Sequence, residues 1–116
     1  MVFYVLKKGD YMKRTETIKD KKLFNEIIKS GKFHKNQYYV IYSTKTADSN
    51  KYGIAISNKV GNAVTRNRLK RQTRAIIDNN RILFQKNHNY IIMIRKSCAN
   101  QEYKVLEEAL KEILNK

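Results

Sequence analysis

Proline and tryptophan are absent from this chain of 116 residues, and cysteine occurs only once, as Cys98. A single cysteine cannot close an internal disulfide, and the two histidines do not stand at a zinc-ligand spacing from it. Disulfide-rich and zinc-bound small domains are therefore excluded, which favours a protein of the reducing cytoplasm that folds around an apolar core. Cys98 lies in a polar stretch, and we interpret it as incidental.

Long apolar runs are also missing. No segment approaches the roughly 20 apolar residues that span a bilayer, so no membrane partner is expected. The apolar start MVFYVL is too short for the core of a signal peptide, and lysines follow it instead of preceding it. Because Met12 precedes two basic residues and is an alternative start, we assign residues 1–12 to an extension that need not be native or ordered. Residues 13–116 then form a single domain.

Acidic residues are scarce. The chain has 25 Lys and Arg residues against 10 Asp and Glu residues, which gives a formal net charge of +15 and a pI of about 10.0. Such an excess is repulsive within one small domain and predicts a polyanionic partner, with nucleic acid favoured over an anionic membrane surface. Hydrophobic residues make up 41% of the chain, an ordinary share for a globular protein, so general disorder is not expected.

The apolar pattern predicts an α/β sandwich with a small mixed sheet and three helices. The predicted order is helix, strand, strand, helix, strand and helix, over residues 20–30, 37–44, 51–58, 65–79, 89–95 and the segment that Asn100 caps. We expect the first two strands to pair as a hairpin across the polar run 45–50. The helix between the second and third strands is a crossover, so those two strands are expected to run parallel.

The basic residues concentrate in residues 57–74 (SNKVGNAVTRNRLKRQTR), which contain no acidic residue. Gly61 interrupts the preceding strand, and either Asn62 or Thr65 is suited to cap the helix that follows. Free N–H groups at a helix start bind phosphate, and arginine binds it through two parallel hydrogen bonds. The ordinary interpretation of a charge run is a solvated helix face, but such a face normally mixes both signs. The segment therefore favours nucleic-acid binding.

Residues 61–71 (GNAVTRNRLKR) resemble the signature segment of the bacterial ribonuclease P protein family, with its GNAV and RNR elements. The resemblance extends over residues 13–115. It implies a two-layer α/β sandwich whose crossover around the basic helix is left-handed, against the general preference for right-handed crossovers. It also implies that the basic segment contacts the catalytic RNA and hydrated magnesium near it.

The resemblance also implies roles for individual residues, at the positions that match the family. The residues implied to bind the catalytic RNA are Lys59, Asn62, Arg66, Asn67, Arg68, Lys70, Arg71 and Arg74. No direct protein ligand to a metal is implied, although a hydrated Mg²⁺ near Asn67 is consistent with the family. One departure concerns this surface, because Asn58 stands where the family usually has a second basic residue.

The family also holds the single-stranded 5′ leader of precursor tRNA in a cleft between its first helix and its sheet. The matching positions here are Phe24, Ile28 and Tyr42. Alternation along a strand places Tyr38 and Val40 on the same face as Tyr42. Taken alone, Phe24 is better explained as a core residue, whereas Tyr42 suits a wet edge equally well. Ile28 departs from the phenylalanine common in the family, which leaves apolar contact but removes a stacking ring.

Catalytic motifs are absent from the sequence, which contains no metal-ligand cluster, paired carboxylates or nucleophile–base pair. The resemblance agrees, because in this family the RNA holds the active site and Mg²⁺ acts through the RNA. It implies a cytoplasmic subunit, monomeric alone and without an organic cofactor, whose partners are ribonuclease P RNA and precursor tRNA. It thereby implies a non-catalytic subunit of an RNA-based endoribonuclease that matures the 5′ end of tRNA.

Two other classes of function share some of these features. A structural RNA-binding module such as a ribosomal protein would have the same charge and fold class, but the GNAV and RNR elements favour the first interpretation. A helix-turn-helix DNA-binding protein is disfavoured because a strand, not a helix, precedes the basic helix. His34, in a basic and aromatic stretch, is a further residue that could touch RNA.

Overall fold

The computed structural model describes residues 16–115, and the predicted extension of residues 1–12 lies outside them. The helices and strands are α1 (Lys21–Ser30), β1 (Lys32–Lys35), β2 (Tyr39–Lys45), β3 (Lys51–Ile56), α2 (Ala63–Asn79), β4 (His88–Ile94) and α3 (Tyr103–Leu114). Short 3₁₀ turns occur at Asn58–Val60, Arg81–Leu83 and Lys96–Cys98. Each element predicted from the sequence is present, with shifted ends, and β1 is an additional strand.

The strands form a mixed sheet in the order β1-β2-β4-β3. β3 and β4 pair in parallel, which confirms the predicted crossover through α2. The predicted hairpin of the first two strands is wrong, because β4 lies between β2 and β3 and pairs with both. The physical reason is the composition of β4: its residues Tyr90, Ile91, Ile92 and Ile94 are buried on both faces of the sheet, which requires a central position.

Two apolar clusters cover the two faces of the sheet. The larger one joins the sheet to α2 and α3 and includes Tyr39, Ile41, Ile92, Leu69, Ile76, Leu106 and Leu110. The smaller one joins the sheet to α1 through Ile18, Ile27 and Ile91. The predicted sandwich is therefore the sheet against α2 and α3, and α1 adds a partial layer on the opposite face.

The ends of α1 match their prediction. Asp20 Oδ1 accepts a hydrogen bond from Lys22 N (2.9 Å), and Gly31 N donates to Ile27 O (2.8 Å). A Cβ atom at Gly31 would clash with Ile27 O and lie 2.9 Å from Ser43 O, so a glycine is needed there. This close approach brings the chain directly from α1 into the edge strand β1.

The region around Cys98 differs from its prediction. α3 begins at Tyr103 with Glu102, not Asn100, in the N-cap position. Cys98 is fully buried, and its Sγ donates a hydrogen bond to Tyr38 O (3.1 Å). Burial raises the pKa of the Cys98 thiol to about 11. The residue is therefore a neutral packing group of the core and not an incidental side chain of a polar loop.

Candidate nucleic-acid interface

The basic segment leaves the sheet at the end of β3. Ser57 Oγ accepts a hydrogen bond from Lys59 N (3.1 Å) at the start of a 3₁₀ turn. Asn62 Oδ1 then accepts one from Thr65 N (2.9 Å), so Asn62 is the cap of α2, which begins earlier than predicted, at Ala63. These two caps fix the first turn of α2 next to the end of the sheet, with its free N–H groups available to an anion.

Hydrogen bonds hold two of the predicted RNA-binding arginines. Arg66 Nη1 donates to Asn58 Oδ1 (2.5 Å), and Arg68 Nη2 donates to Ala99 O (2.5 Å). Asn58 therefore orients Arg66 through an acceptor that a basic residue at this position could not supply. Arg68 is half-buried and joins α2 to the segment that follows β4, so it is not a freely solvated side chain.

The other predicted RNA-binding residues lie at the start of α2 and along its length. The exposed ones are Lys59, Asn62, Asn67, Arg71 and Arg74, and Lys70 is half-buried. The sequence between Asp48 and Asp78 contains no acidic residue, and Asp78 Oδ1 accepts a hydrogen bond from Arg81 Nη2 (2.6 Å). The side of α2 that faces solvent therefore carries positive charge with little to offset it.

α3 carries no excess of positive charge, in contrast to α2, because its two lysines stand beside three glutamates. Lys104 Nζ lies 3.6 Å from Glu108 Oε1, and Lys111 Nζ lies 3.7 Å from the same oxygen. Exposed pairs of this kind contribute little to stability, but they cancel charge locally. The excess of positive charge is therefore not spread evenly over the helices, and α2 is the stronger site for a polyanion.

The sheet face that carries α1 forms a second surface. Its residues stand in two rows, because strand partners lie side by side: an inner row of Phe33, Tyr42, Ile91 and Gly53, and an outer row of Lys35, Val40, Met93 and Ala55. α1 contacts the inner row: Ile91 clusters with Ile27, and a Cβ at Gly53 would lie only 3.0 Å from Phe24 Cε2. The outer row lies nearer the end of the sheet from which the basic segment leaves.

The apolar members of the outer row remain half-buried. We use the name α1 cleft for a set of six half-buried residues on this face and on α1: Phe24, Ile28, Tyr42, Val40, Met93 and Ala55. Phe24, Ile28 and Tyr42 pack against the small cluster while keeping part of their surface exposed. The core interpretation and the binding interpretation of Phe24 and Tyr42 are thus compatible.

The structure places Tyr38 elsewhere, which corrects the expectation that it shares a face with Tyr42. Tyr38 precedes β2 and packs against the large cluster. The cause is a turn at Asn36, whose Oδ1 accepts hydrogen bonds from the N–H groups of Tyr38 and Tyr39 (2.9 Å each). Because Tyr38 lies outside the strand, alternation along β2 does not apply to it. Val40, which lies within β2, does share the face of Tyr42.

Sequence reasoning missed Phe33 and Met93. Phe33 lies on β1, is 55% exposed and has its ring centroid 5.8 Å from that of Tyr42. The strand was missed because its four residues, KFHK, are all exposed and show no apolar alternation. The one feature of the sequence that pointed to Phe33 as a binding residue was an aromatic side chain among basic ones. Met93 had no signal, since it lies in an otherwise buried apolar run.

Among residues 16–115, no group of three or more His, Cys, Asp or Glu side chains could hold a metal ion. Within the same range no helix is long and apolar enough to cross a bilayer. His34 is exposed on β1 and pairs with Ile41, so it points to the face opposite Tyr42. It therefore does not belong to the α1 cleft.

Comparison with known proteins identifies the family of this chain. The profile of the family described as Ribonuclease P matches residues 12–116. The ribonuclease P protein component of Streptococcus pyogenes is 36% identical over 105 residues, covering 89% of this chain and 87% of its own length. That of Listeria monocytogenes is 33% identical over 105 residues, covering 89% and 88%. The solved ribonuclease P protein of Thermotoga maritima superposes with a TM-score of 0.78 at 28% identity, covering 85% of this chain and 94% of its own.

The family profile matches most of the chain, and the structural likeness to the Thermotoga maritima protein covers 85% of it. The chain therefore belongs to the ribonuclease P protein family.

Proposed function

We propose that this protein is the RNA-binding, non-catalytic subunit of a cytoplasmic ribonuclease P that matures the 5′ end of tRNA. The observation that carries the proposal is the position of the two surfaces. The basic start of α2 and the apolar α1 cleft meet at one end of the sheet, since residues 57–62 leave β3 directly after the row that contains Ala55. One polyanion on α2 and one single strand in the cleft would thus be held side by side.

The basic segment binds the catalytic RNA through its phosphates. The N-terminal N–H groups of α2 and the guanidinium groups of Arg66 and Arg68 offer donors in fixed positions, because each arginine is already held by a hydrogen bond. Each phosphate contact releases counterions, so log affinity falls with log salt by roughly 0.7 to 0.9 per contact. This term provides affinity without sequence specificity.

The α1 cleft binds the single-stranded 5′ leader of precursor tRNA. Half-buried aromatic and apolar side chains suit unpaired bases, since stacking contributes roughly 1–3 kcal/mol per base with little sequence demand. Tyr42 offers a ring and Ile28 apolar contact only, so the departure at position 28 reduces stacking in this part of the cleft. The protein then favours substrates that carry a leader over mature tRNA.

Magnesium chemistry belongs to the RNA in this proposal. Mg²⁺ in proteins is usually held by one or two carboxylates together with substrate phosphates. Residues 57–74 have no carboxylate, so the donor set does not fit direct ligation of Mg²⁺. Asn67, exposed near the start of α2, is suited to a hydrogen bond with a water of a hydrated ion that RNA phosphates hold. The protein supplies position and charge, is monomeric by itself and needs no organic cofactor.

The test is reconstitution of the protein with a bacterial ribonuclease P RNA. At low magnesium the protein should stimulate cleavage of precursor tRNA, and Tyr42→Ala should weaken binding of leader-bearing substrate by about 5- to 150-fold, the equivalent of the stacking of one base. Binding of mature tRNA should be unchanged by the same substitution. A lack of stimulation would support a structural RNA-binding module instead, and equal losses for both substrates would remove Tyr42 from the leader site.

A further inference from the structure

Phe33 is an aromatic side chain whose exposure the core does not explain. It is 55% exposed on the edge strand β1, between Lys32 and His34, and all four residues of the strand are exposed. Edge strands normally carry charges that discourage pairing with other chains, and an exposed phenylalanine works against this protection. The ring contacts a neighbour, however, since its centroid lies 5.8 Å from that of Tyr42 with the planes tilted by 42°.

The position of Phe33 relative to the α1 cleft is set by the sheet. Phe33 is the strand partner of Tyr42, so both rings lie on the face that carries α1. β1 and β3 are the two edges of the sheet, and at about 4.8 Å between neighbouring strands the β1 edge is roughly 14 Å from β3. The basic segment leaves from β3. A strand of RNA anchored there and crossing Tyr42 therefore reaches Phe33 last.

A basic side chain accompanies the ring. Lys35, two positions along β1, points to the same face as Phe33 and pairs with Val40 of the cleft. Lysine beside an exposed ring is the combination that binds single-stranded nucleic acid, one group for the phosphate and the other for the base. The same combination is unfavourable for a second copy of this chain, because the exposed lysines of β1 would repel each other.

We propose that Phe33 is a further binding residue, which stacks on a base of the single-stranded leader at the end of the α1 cleft beyond Tyr42. This inference rests on the proposed leader-binding function of the cleft and adds to it a consequence for leader length. The ring of Phe33 replaces, at the β1 edge, the stacking surface that Ile28 does not offer. Substrates with long leaders should use Phe33, and substrates with short leaders should not.

The experiment measures the affinity of reconstituted holoenzyme for precursor tRNAs whose leaders lengthen one nucleotide at a time. In the wild-type protein, affinity should rise in two steps, one for Tyr42 and a later one for Phe33. Phe33→Leu should abolish the later step, a loss of about 5-fold or more for long leaders, and leave short leaders unaffected. Phe33→Tyr keeps the ring and should retain both steps. Ile82→Ala, which truncates a 94% exposed side chain between α2 and β4, is the matched control and should change neither step.

Each result has a defined meaning. If Tyr42→Ala removes leader dependence but Phe33→Leu binds long leaders like wild type, the inference about Phe33 is wrong and the proposed function stands. If neither Tyr42→Ala nor Phe33→Leu affects leader binding, the inference about Phe33 and the proposed leader-binding function are both wrong. If Phe33→Leu lowers affinity equally for all substrates, mature tRNA included, Phe33 belongs to another interface. If it instead changes the sedimentation coefficient of the free protein, the exposed ring serves self-association. Unchanged thermal unfolding of Phe33→Leu would exclude a folding defect.

Discussion

Gly53 controls the position of Phe24, and Gly53→Ala should therefore affect both folding and leader binding. A Cβ at this position would lie 3.0 Å from Phe24 Cε2 and 3.4 Å from Ile91 Cγ1. The second distance is an ordinary contact, whereas the first requires the ring of Phe24 to retreat by a few tenths of an ångström. Ile91 is fully buried and its contact is ordinary, so the half-buried ring of Phe24 is the group that has to move. It would shift away from the sheet and change the wall of the α1 cleft.

The net effect on stability is the difference of two terms. Overpacking a well-packed site costs about 1–3 kcal/mol, with the lower end expected here because the ring has a solvent-exposed side. Replacing glycine in a strand interior recovers roughly 0.5–1 kcal/mol of backbone entropy. We expect Gly53→Ala to lower the free energy of unfolding by about 1 kcal/mol or less. The affinity for a leader-bearing substrate should change more than the free energy of unfolding does, because binding depends directly on the position of the Phe24 ring.

A double-mutant cycle tests the reasoning. Urea unfolding is measured for Gly53→Ala, Phe24→Leu and the double variant, together with holoenzyme affinity for substrates with and without a leader. Leucine lacks the ring atoms that a new Cβ would meet, so Gly53→Ala should be neutral or stabilising in that background, a coupling of about 1 kcal/mol. If Gly53→Ala has the same effect in both backgrounds, contact with the ring of Phe24 is not what limits the space at Gly53.

Two further predictions concern α2 and the core. Arg68→Ala should weaken assembly with the RNA and also lower the free energy of unfolding by about 1 kcal/mol, because it removes the hydrogen bond to Ala99 O. Arg74→Ala, which changes an exposed residue, should weaken assembly without changing the free energy of unfolding. Burial raises the pKa of the Cys98 thiol from 9.0 to about 11, so the folded state retains a proton that the unfolded state loses. Stability should thus fall as pH rises through this interval. Urea unfolding at pH about 7 and about 10 should show a smaller fall for Cys98→Ala than for wild type.

The basic segment could be predicted from sequence because its determinants are local. The helix cap, the helix periodicity and the lack of acidic residues can all be identified within residues 57–74. The structure adds that Asn62, and not Thr65, is the cap. The hydrogen bond that Arg66 donates to Asn58 also joins residues that are close in sequence, but the residue types alone do not show that Asn58 is the acceptor. The contact of Arg68 with Ala99 joins distant segments and could not be foreseen.

The α1 cleft could be predicted only in part, because its residues come from four separate elements. Phe24, Ile28 and Tyr42 were identified through the family resemblance. The prediction for Tyr38 was wrong because the Asn36 side chain accepts hydrogen bonds from the N–H groups of Tyr38 and Tyr39, so that β2 begins only after Tyr38. Alternation along a strand does not apply before the strand begins. Phe33 was missed because an edge strand exposed on all its residues has no apolar pattern to detect.

The observed strand order, which differs from the order predicted from the sequence, also sets the width of the floor of the α1 cleft, which the sheet residues form. Had β2 paired with β3, Val40 would lie beside Ala55, and the floor between α1 and the basic segment would be one strand narrower. Insertion of β4 places Met93 between them and widens the floor by about 4.8 Å. The same insertion makes β3 an edge strand, from which the basic segment can leave without crossing the floor. The burial of β4 on both faces, a requirement of the core, therefore also widens the surface proposed for the leader and leaves the surface proposed for the catalytic RNA at its edge.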